Sequence, residues 1–370
     1  MIAYILRRLM LMVPTILGIM IINFAIVQFA PGGPVERIVA QLQGLDTQAS
    51  VGGASGGGES SGSSTGQTVT AGQESGYRGA QGLDPAFLKE LEAQFGLDKP
   101  AYERLGLMIW NYARFDFGES FYRNADVLDL ILEKMPVSIS LGLWTTLIVY
   151  LISIPMGIAK AVRHGTRFDA VTSSVILIGY AIPGYIFAVM LLVLFAGGSY
   201  WDVFPLGGLV SPDWESYSWP VKIVDYLWHM VLPVFAMVLS GFATLTLLTK
   251  NSFLEEISKQ YVVTARAKGV TEKKVLYGHI FRNAMLIVVA GFPAAFISIF
   301  ITGSLLIEVI FSLDGLGLLG YESVMNRDYP VVFGTLFIYS LLGLVANLLR
   351  DLTYIWVDPR ISFETQDQGG

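Results

Sequence analysis

Long apolar runs alternate with short polar segments along this chain, and six of the runs are long enough to cross a bilayer. The first follows Arg7 and Arg8 and continues to Phe29. It holds about 20 apolar residues, enough to span. A secretory leader would have a shorter apolar core and a small-residue cleavage site, so the sequence predicts an uncleaved first helix. Pro14 and Asn23 interrupt this run, which is tolerable where a neighbouring helix satisfies the backbone or the amide. Five further spans are predicted at about 137–158, 171–196, 226–248, 285–310 and 331–357. The expected fold class is therefore an all-α integral membrane protein with six transmembrane helices.

The polar segments divide the rest. Residues 1–30 form the N-terminal transmembrane helix, 31–136 an extramembrane region, 137–360 the membrane core and 361–370 a tail. Within the second part, about 43–82 is Gly-, Ser-, Thr- and Gln-rich, with too little apolar surface to offset ordering entropy, and reads as a flexible insertion. Its glycines do not make a phosphate loop: no lysine follows them, and no GxxxxGK[ST] occurs anywhere. Order is expected to return at Leu83. Asp84-Pro85 opens an amphipathic helix with Phe87, Leu88, Leu91 and Phe95 on one face, closed by Gly96. Asp98-Lys99-Pro100 starts another carrying Leu105, Met108, Ile109 and Tyr112, and a third pattern runs from Val127 to Lys134 before Pro136. Together these predict a small helical cap, whose aromatics serve as core and whose surface is a docking face for an external binding protein.

One long polar and basic segment, Ser252 to Ala284, lies between two apolar runs. Ser252 and Glu255 match a capping box. Glu255 and Glu256 would then fall in a first turn and Arg266 and Lys268 in a last, the distribution that suits a helix dipole. Gly269 fits a C-cap. Thr271 is placed to cap a second helix through Lys273, Lys274 and His279 to Arg282. Helix, glycine hinge and helix make a knob suited to docking into another protein; an ordinary basic loop is the plainer alternative.

Charge sets the orientation. Lys160, Arg163 and Arg167 share one short loop, and Lys250, Lys259, Arg266, Lys268, Lys273, Lys274 and Arg282 another, while 197–225 and 311–330 hold only Lys222 and Arg327. This asymmetry puts both termini and the knob inside and 31–136 outside. Trp201, Trp214, Trp219 and Trp228 then fall at outer ends, as an interfacial belt. Of 370 residues 53% are hydrophobic and 15% charged, with a mean hydropathy of +0.57, against roughly a quarter charged in a soluble domain. The absence of cysteine excludes disulfides and thiol chemistry. His164, His229 and His279 lack metal-ligand spacing, and His229 is expected at an interface. The net charge of −6 is no nucleic-acid footprint.

Few ionisable residues fall deep in the runs, which disfavours an ion-coupled carrier. Glu308 and Asp351 lie near predicted span ends, and Arg350 adjoins Asp351. Gly179-Tyr180-Ala181-Ile182-Pro183-Gly184 sits midway along the third run and Gly291-Phe292-Pro293 in the fifth. Proline there removes a backbone hydrogen bond and bends a helix. Tyr180, Pro183, Phe292 and Pro293 are the residues expected at a translocation pathway, with packing kinks as the alternative.

Several of these stretches resemble the B-type permeases of dipeptide and oligopeptide ABC importers. They are Arg7-Arg8-Leu9, Ala30-Pro31-Gly32-Gly33-Pro34, Gly96-Leu97-Asp98-Lys99-Pro100, Asp116-Phe117-Gly118-Glu119-Ser120, Thr264-Ala265-Arg266-Ala267-Lys268-Gly269, the 311–317 stretch, Asn326-Arg327-Asp328-Tyr329-Pro330 and Asp358-Pro359-Arg360. The insertion and Gly197-Gly198-Ser199-Tyr200 resemble the Yej-type branch, associated with peptides and microcin C-type peptide-nucleotides. The resemblance implies a type I importer fold and a non-catalytic subunit of the bacterial inner membrane, forming half of a pore with a homologous second permease. It implies an ABC ATPase with two nucleotide-binding domains, which holds ATP and magnesium, and an extracytoplasmic peptide-binding protein; lipid surrounds the spans, and this chain binds no cofactor or metal itself. By that resemblance Tyr261, Thr264, Ala265, Arg266, Ala267, Lys268, Gly269 and Val270 belong to the helix that couples to the ATPase. Nickel or oligosaccharide import, an ion-coupled carrier and a structural membrane anchor are the competing functions.

Overall fold

The computed structural model describes residues 2–29, 99–123, 125–198, 200–302 and 305–357. Every regular element among them is a helix. The chain divides into two units, Gly18–Asp116 and Met1–Leu17 with Phe117–Gly370; α1 (Ile2–Phe29) contributes to both. The expected helix bearing Phe87, Leu88, Leu91 and Phe95 lies outside the described residues, as do the insertion and the C-terminal tail.

In the smaller unit α2 (Ala101–Tyr112) follows Pro100, whose extended backbone occupies the N-cap position. Leu105, Met108, Ile109 and Tyr112 are on its more buried face, as the helical period requires. Burial raises the pKa of the Tyr112 phenol well above its ordinary value. Asn23 of α1 gains no amide partner: its Nδ2 is buried without one.

The larger unit contains α3 (Val127–Val162), α4 (Arg167–Ala181), α5 (Gly184–Phe195), α6 (Trp219–Ile257), α7 (Gln260–Ala267), α8 (Glu272–Ala284), α9 (Leu286–Thr302), α10 (Leu305–Ile310), α11 (Leu316–Met325) and α12 (Tyr329–Val357). The expected short helix from Val127 and the span beginning near Val137 are one helix, with Pro136 inside it. Asp126 caps this helix by accepting from Leu128 N at 2.7 Å. Val127, Leu130 and Ile131 are already buried, so the first turns belong to the packed body and the helix has no reason to stop at the proline.

α3 and α6 form the centre. They approach closely at Gly157, where an added Cβ would lie 2.6 Å from Thr249 Cβ and 2.8 Å from the Thr246 carbonyl oxygen. Small residues are the usual means of bringing membrane helices this close.

The third predicted span is broken, with α4 and α5 meeting at 89°. Pro183 ends one helix and caps the next: Ile182 before it is extended, and its carbonyl accepts from Ile186 N and Phe187 N. In the fifth span the 46° bend falls at Met285, between α8 and α9. α9 runs unbroken through Pro293, so the bend expected at that proline is displaced by eight residues. Among the described residues four helices are long and apolar enough to cross a bilayer by themselves, and up to six spans result if each bent pair is one.

Two of the sequence signatures meet at the start of α3. Ser120 Oγ donates to Asp328, and Phe121 N donates to the other oxygen of the same carboxylate at 3.1 Å. Glu308 is fully buried beneath the loop that follows α10 and accepts from Leu318 N at 2.7 Å. A Cβ at Gly315 would sit 2.5 Å from the Glu308 carboxyl carbon, so any larger residue there would displace that carboxylate.

Candidate functional site: a two-helix knob and an uncharged cavity

The polar segment begins differently from its sequence pattern. α6 continues through Ser252, Glu255 and Glu256 and stops at Ile257, so Ser252 caps nothing. Its Oγ donates to the Ala284 carbonyl at 2.6 Å. Burial explains the continuation: Phe253 is wholly enclosed and packs edge-on to Phe281, with centroids 6.0 Å apart. The two glutamates therefore occupy a last turn, where the dipole opposes them. Glu256 is only 9% exposed and is compensated by Lys259 Nζ and by the Tyr261 hydroxyl at 2.6 Å. The bond to Glu256 raises the Lys259 pKa above its usual value. Burial, helped by Glu256, raises the Tyr261 phenol.

α7 then runs to Ala267, with Arg266 in its last turn and Lys268 as C-cap. Gly269 has φ +74°. Its N–H reaches the Arg266 carbonyl at 2.9 Å, and Val270 N reaches that of Ala265 at 3.2 Å. This pair of bonds is the Schellman closure. Val262 and Ala265 are buried, Tyr261 and Val270 are partly so, and Thr264, Arg266, Ala267, Lys268 and Gly269 are exposed. Across the turn Arg266 makes two contacts with Glu272, at 2.9 and 3.1 Å. Thr271 stands at the N-cap of α8 but its side chain makes no capping bond. α8 contains a π turn, Leu276–Ile280. Lys273, Lys274, His279 and Arg282 are exposed along it.

A cavity of about 740 Å³ lies among α3, α5, α6, α9 and α10. Thr145, Thr146, Tyr150, Tyr185, Ser240 and Thr244 supply its polar groups, and no charged side chain lines it among the described residues. Thr146 Oγ1 is buried without a hydrogen-bond partner. Of the expected pathway residues, Tyr180, Pro183, Phe292 and Pro293 do not line this space, whereas their neighbours Gly184, Tyr185, Gly291 and Ala295 do. Adjacent helical positions are about 100° apart, so the irregular stretches reach the cavity while the residues named from them face other directions. Tyr180 is 60% exposed; Phe292 packs edge-on to Tyr150 at 5.0 Å.

The sequence placed Lys160 in a polar loop and gave no sign of its partners. Lys160 is fully buried and donates to Thr172, Ser173 and the Asp169 carbonyl at 2.7–3.1 Å. Asp351 pairs with Arg8 at 2.6 Å, and Arg350 stands farther off at 3.9 Å. His229 is buried, with Nδ1 2.9 Å from the Asp225 carbonyl. No group of His, Cys, Asp or Glu among the described residues is arranged to hold a metal.

Comparison with known proteins supplies the context. The family model described as "binding-protein-dependent transport system inner membrane component" matches residues 153–363. The peptidoglycan transport system permease protein YejB of Agrobacterium fabrum is 64% identical over 365 residues, covering 99% of both chains. The inner membrane ABC transporter permease protein YejB of Escherichia coli O157:H7 is 58% identical, covering 98% of this chain and 99% of its own. The oligopeptide transport system permease protein AppB of Bacillus subtilis is 32% identical with the same coverage.

Proposed function

Because the chain belongs to the family of binding-protein-dependent transport system inner membrane components, we propose that it is the membrane-spanning half of an ATP-driven importer of peptides and peptide-containing wall fragments. Peptide chemistry is common to the oligopeptide and peptidoglycan systems named for its relatives; microcin C-like conjugates fit the same class. Permease subunits of this family are non-catalytic. ATP and magnesium are held by a partner ATPase, since this sequence has no GxxxxGK[ST].

The observation that carries this reading is the α7–α8 knob, closed by Gly269 and presenting Thr264, Ala267 and Lys268 between α6 and α9. In this reading it seats in the ATPase, both termini are cytoplasmic, six spans cross the inner membrane, and 31–136 faces the binding protein. A homologous second permease closes the other side of the pore. The uncharged cavity is this chain's share of the pathway. Closure of the ATPase pair on ATP moves the knob, and the helices above it switch the cavity between its inward- and outward-facing forms.

An ion-coupled carrier would place titratable groups on the pathway. The buried ones among the described residues, Lys134, Lys160, Asp169, His229, Glu256, Glu308, Asp328 and Asp351, do not line the cavity. Purification in mild detergent tests the proposal: a second permease and an ATPase should accompany the chain, with ATP-dependent peptide uptake in proteoliposomes. Isolation of a lone protein driven by an ion gradient would overturn it, and uptake of nickel or oligosaccharide in place of peptide would overturn the substrate class.

A further inference from the structure

We infer that Glu256 is the positioning residue that passes movement of the α7–α8 knob into α6, and through α6 to the cavity wall. The inference rests on the coupling reading of the knob given above. Glu256 is on the last turn of α6, and its hydrogen-bond partners belong to two pieces of the knob. Lys259 is in the linker and Tyr261 in the first turn of α7. One turn earlier Ser252 donates to the Ala284 carbonyl, and Phe253 packs on Phe281. The knob is thus clamped to one face of α6 at several points, with a buried carboxylate at their centre.

α6 is also the helix whose upper part forms much of the cavity, through Met237, Ser240, Gly241, Thr244, Leu245 and Leu248. From Glu256 to Ser240 the rise is about 24 Å of unbroken helix, at 1.5 Å per residue. The other route from the knob to the cavity, α8 into α9, contains the π turn and the 46° bend. Such features mark hinges and kinks, and they absorb displacement. The stiff arm is α6, and Glu256 is its joint.

The test uses the complete importer in proteoliposomes with its ATPase, second permease and binding protein. Glu256→Ala and Glu256→Gln are each combined with Lys268→Cys, a unique thiol because the chain has no cysteine, for cross-linking to the ATPase. The expected result for Glu256→Ala is a retained cross-link, continued ATP hydrolysis, and uptake per ATP reduced roughly tenfold, within the usual range of coupling. Glu256→Gln, which keeps an acceptor for Tyr261, should lose less. Unchanged uptake per ATP in both variants, with the cross-link intact, overturns the inference. Lower protein yield with unchanged uptake per ATP also overturns it, since that is a structural role alone. If Glu256→Ala does not assemble, Glu256→Gln decides by the same ratio. If Lys268→Cys with Glu256 intact gives no cross-link, the coupling reading fails first and the inference with it.

Discussion

Lys250 Nζ lies 2.7 and 2.8 Å from the two carboxylate oxygens of Asp169, joining α6 to α4 across 81 residues of sequence. Lys160 of α3 approaches the same carboxylate at 3.1 Å, and Gly165 N at 3.3 Å. Three helices are therefore held by one aspartate.

Removing one partner of a buried ionic group leaves the other uncompensated, at a cost of about 3–5 kcal/mol. Asp169→Asn should destabilise the protein by that order, because Lys160 and Lys250 both lose their anion. Lys250→Met should cost less, since Lys160 and Gly165 N still serve Asp169. Thermal unfolding in detergent is the measurement, and equal stability of Asp169→Asn and the unaltered protein would show that the cluster is dispensable.

The crossing at Gly157 makes a steric prediction. An alanine there meets Thr249 Cβ and the Thr246 carbonyl well inside van der Waals contact, and over-packing typically costs about 1–3 kcal/mol. Gly157→Ala should lower the unfolding temperature and Gly157→Val should lower it further. Thr249→Gly should rescue only part of the loss, because the Thr246 carbonyl remains in place.

How much of this was legible in the sequence depends on the range of the forces. Apolar runs of membrane length are imposed by the bilayer itself, and the four helices that are long and apolar enough to span by themselves each include a predicted run. Gly269 was legible because a left-handed residue after a helix favours glycine wherever the chain goes next. The capping box at Ser252 failed because a local pattern was overridden by burial of Phe253 and a bond to Ala284, 32 residues away. Asp169, Lys250 and Arg8 left no local signal, since their partners are brought by the fold. Phe292 missed the cavity by a fraction of a helical turn, and Tyr180 lies in α4, across the 89° break from Gly184 and Tyr185; neither phase nor break angle is revealed by a proline-containing stretch.

Arg266 and Gly269 separate docking from folding. The Arg266–Glu272 pair is exposed, and such pairs contribute about 0–1 kcal/mol. Arg266→Glu should hardly change thermal stability yet reduce recovery of the ATPase on co-purification. Gly269→Val forces a β-branched residue to φ +74°, which costs at least about 1–2 kcal/mol and opens the Schellman turn; it should lose both local order and ATPase recovery. If Arg266→Glu keeps full ATPase recovery, the arginine serves only its bond to Glu272.

The clamp around Glu256 has a pH signature set by Lys259 and Tyr261. Both groups titrate above their ordinary values in the folded protein. A raised pKa contributes stability that is complete below the unfolded value, about 10 for either side chain, and is lost as pH rises through the folded one. Attachment of α7 to α6 should therefore be constant between roughly pH 6 and 9 and loosen only above about 10. A spin label at Gln260→Cys, beside Lys259 and Tyr261, reports this directly: its mobility should be flat across the neutral range and rise in alkali. Loosening between pH 7 and 9 would mean that neither the lysine nor the phenol holds the joint.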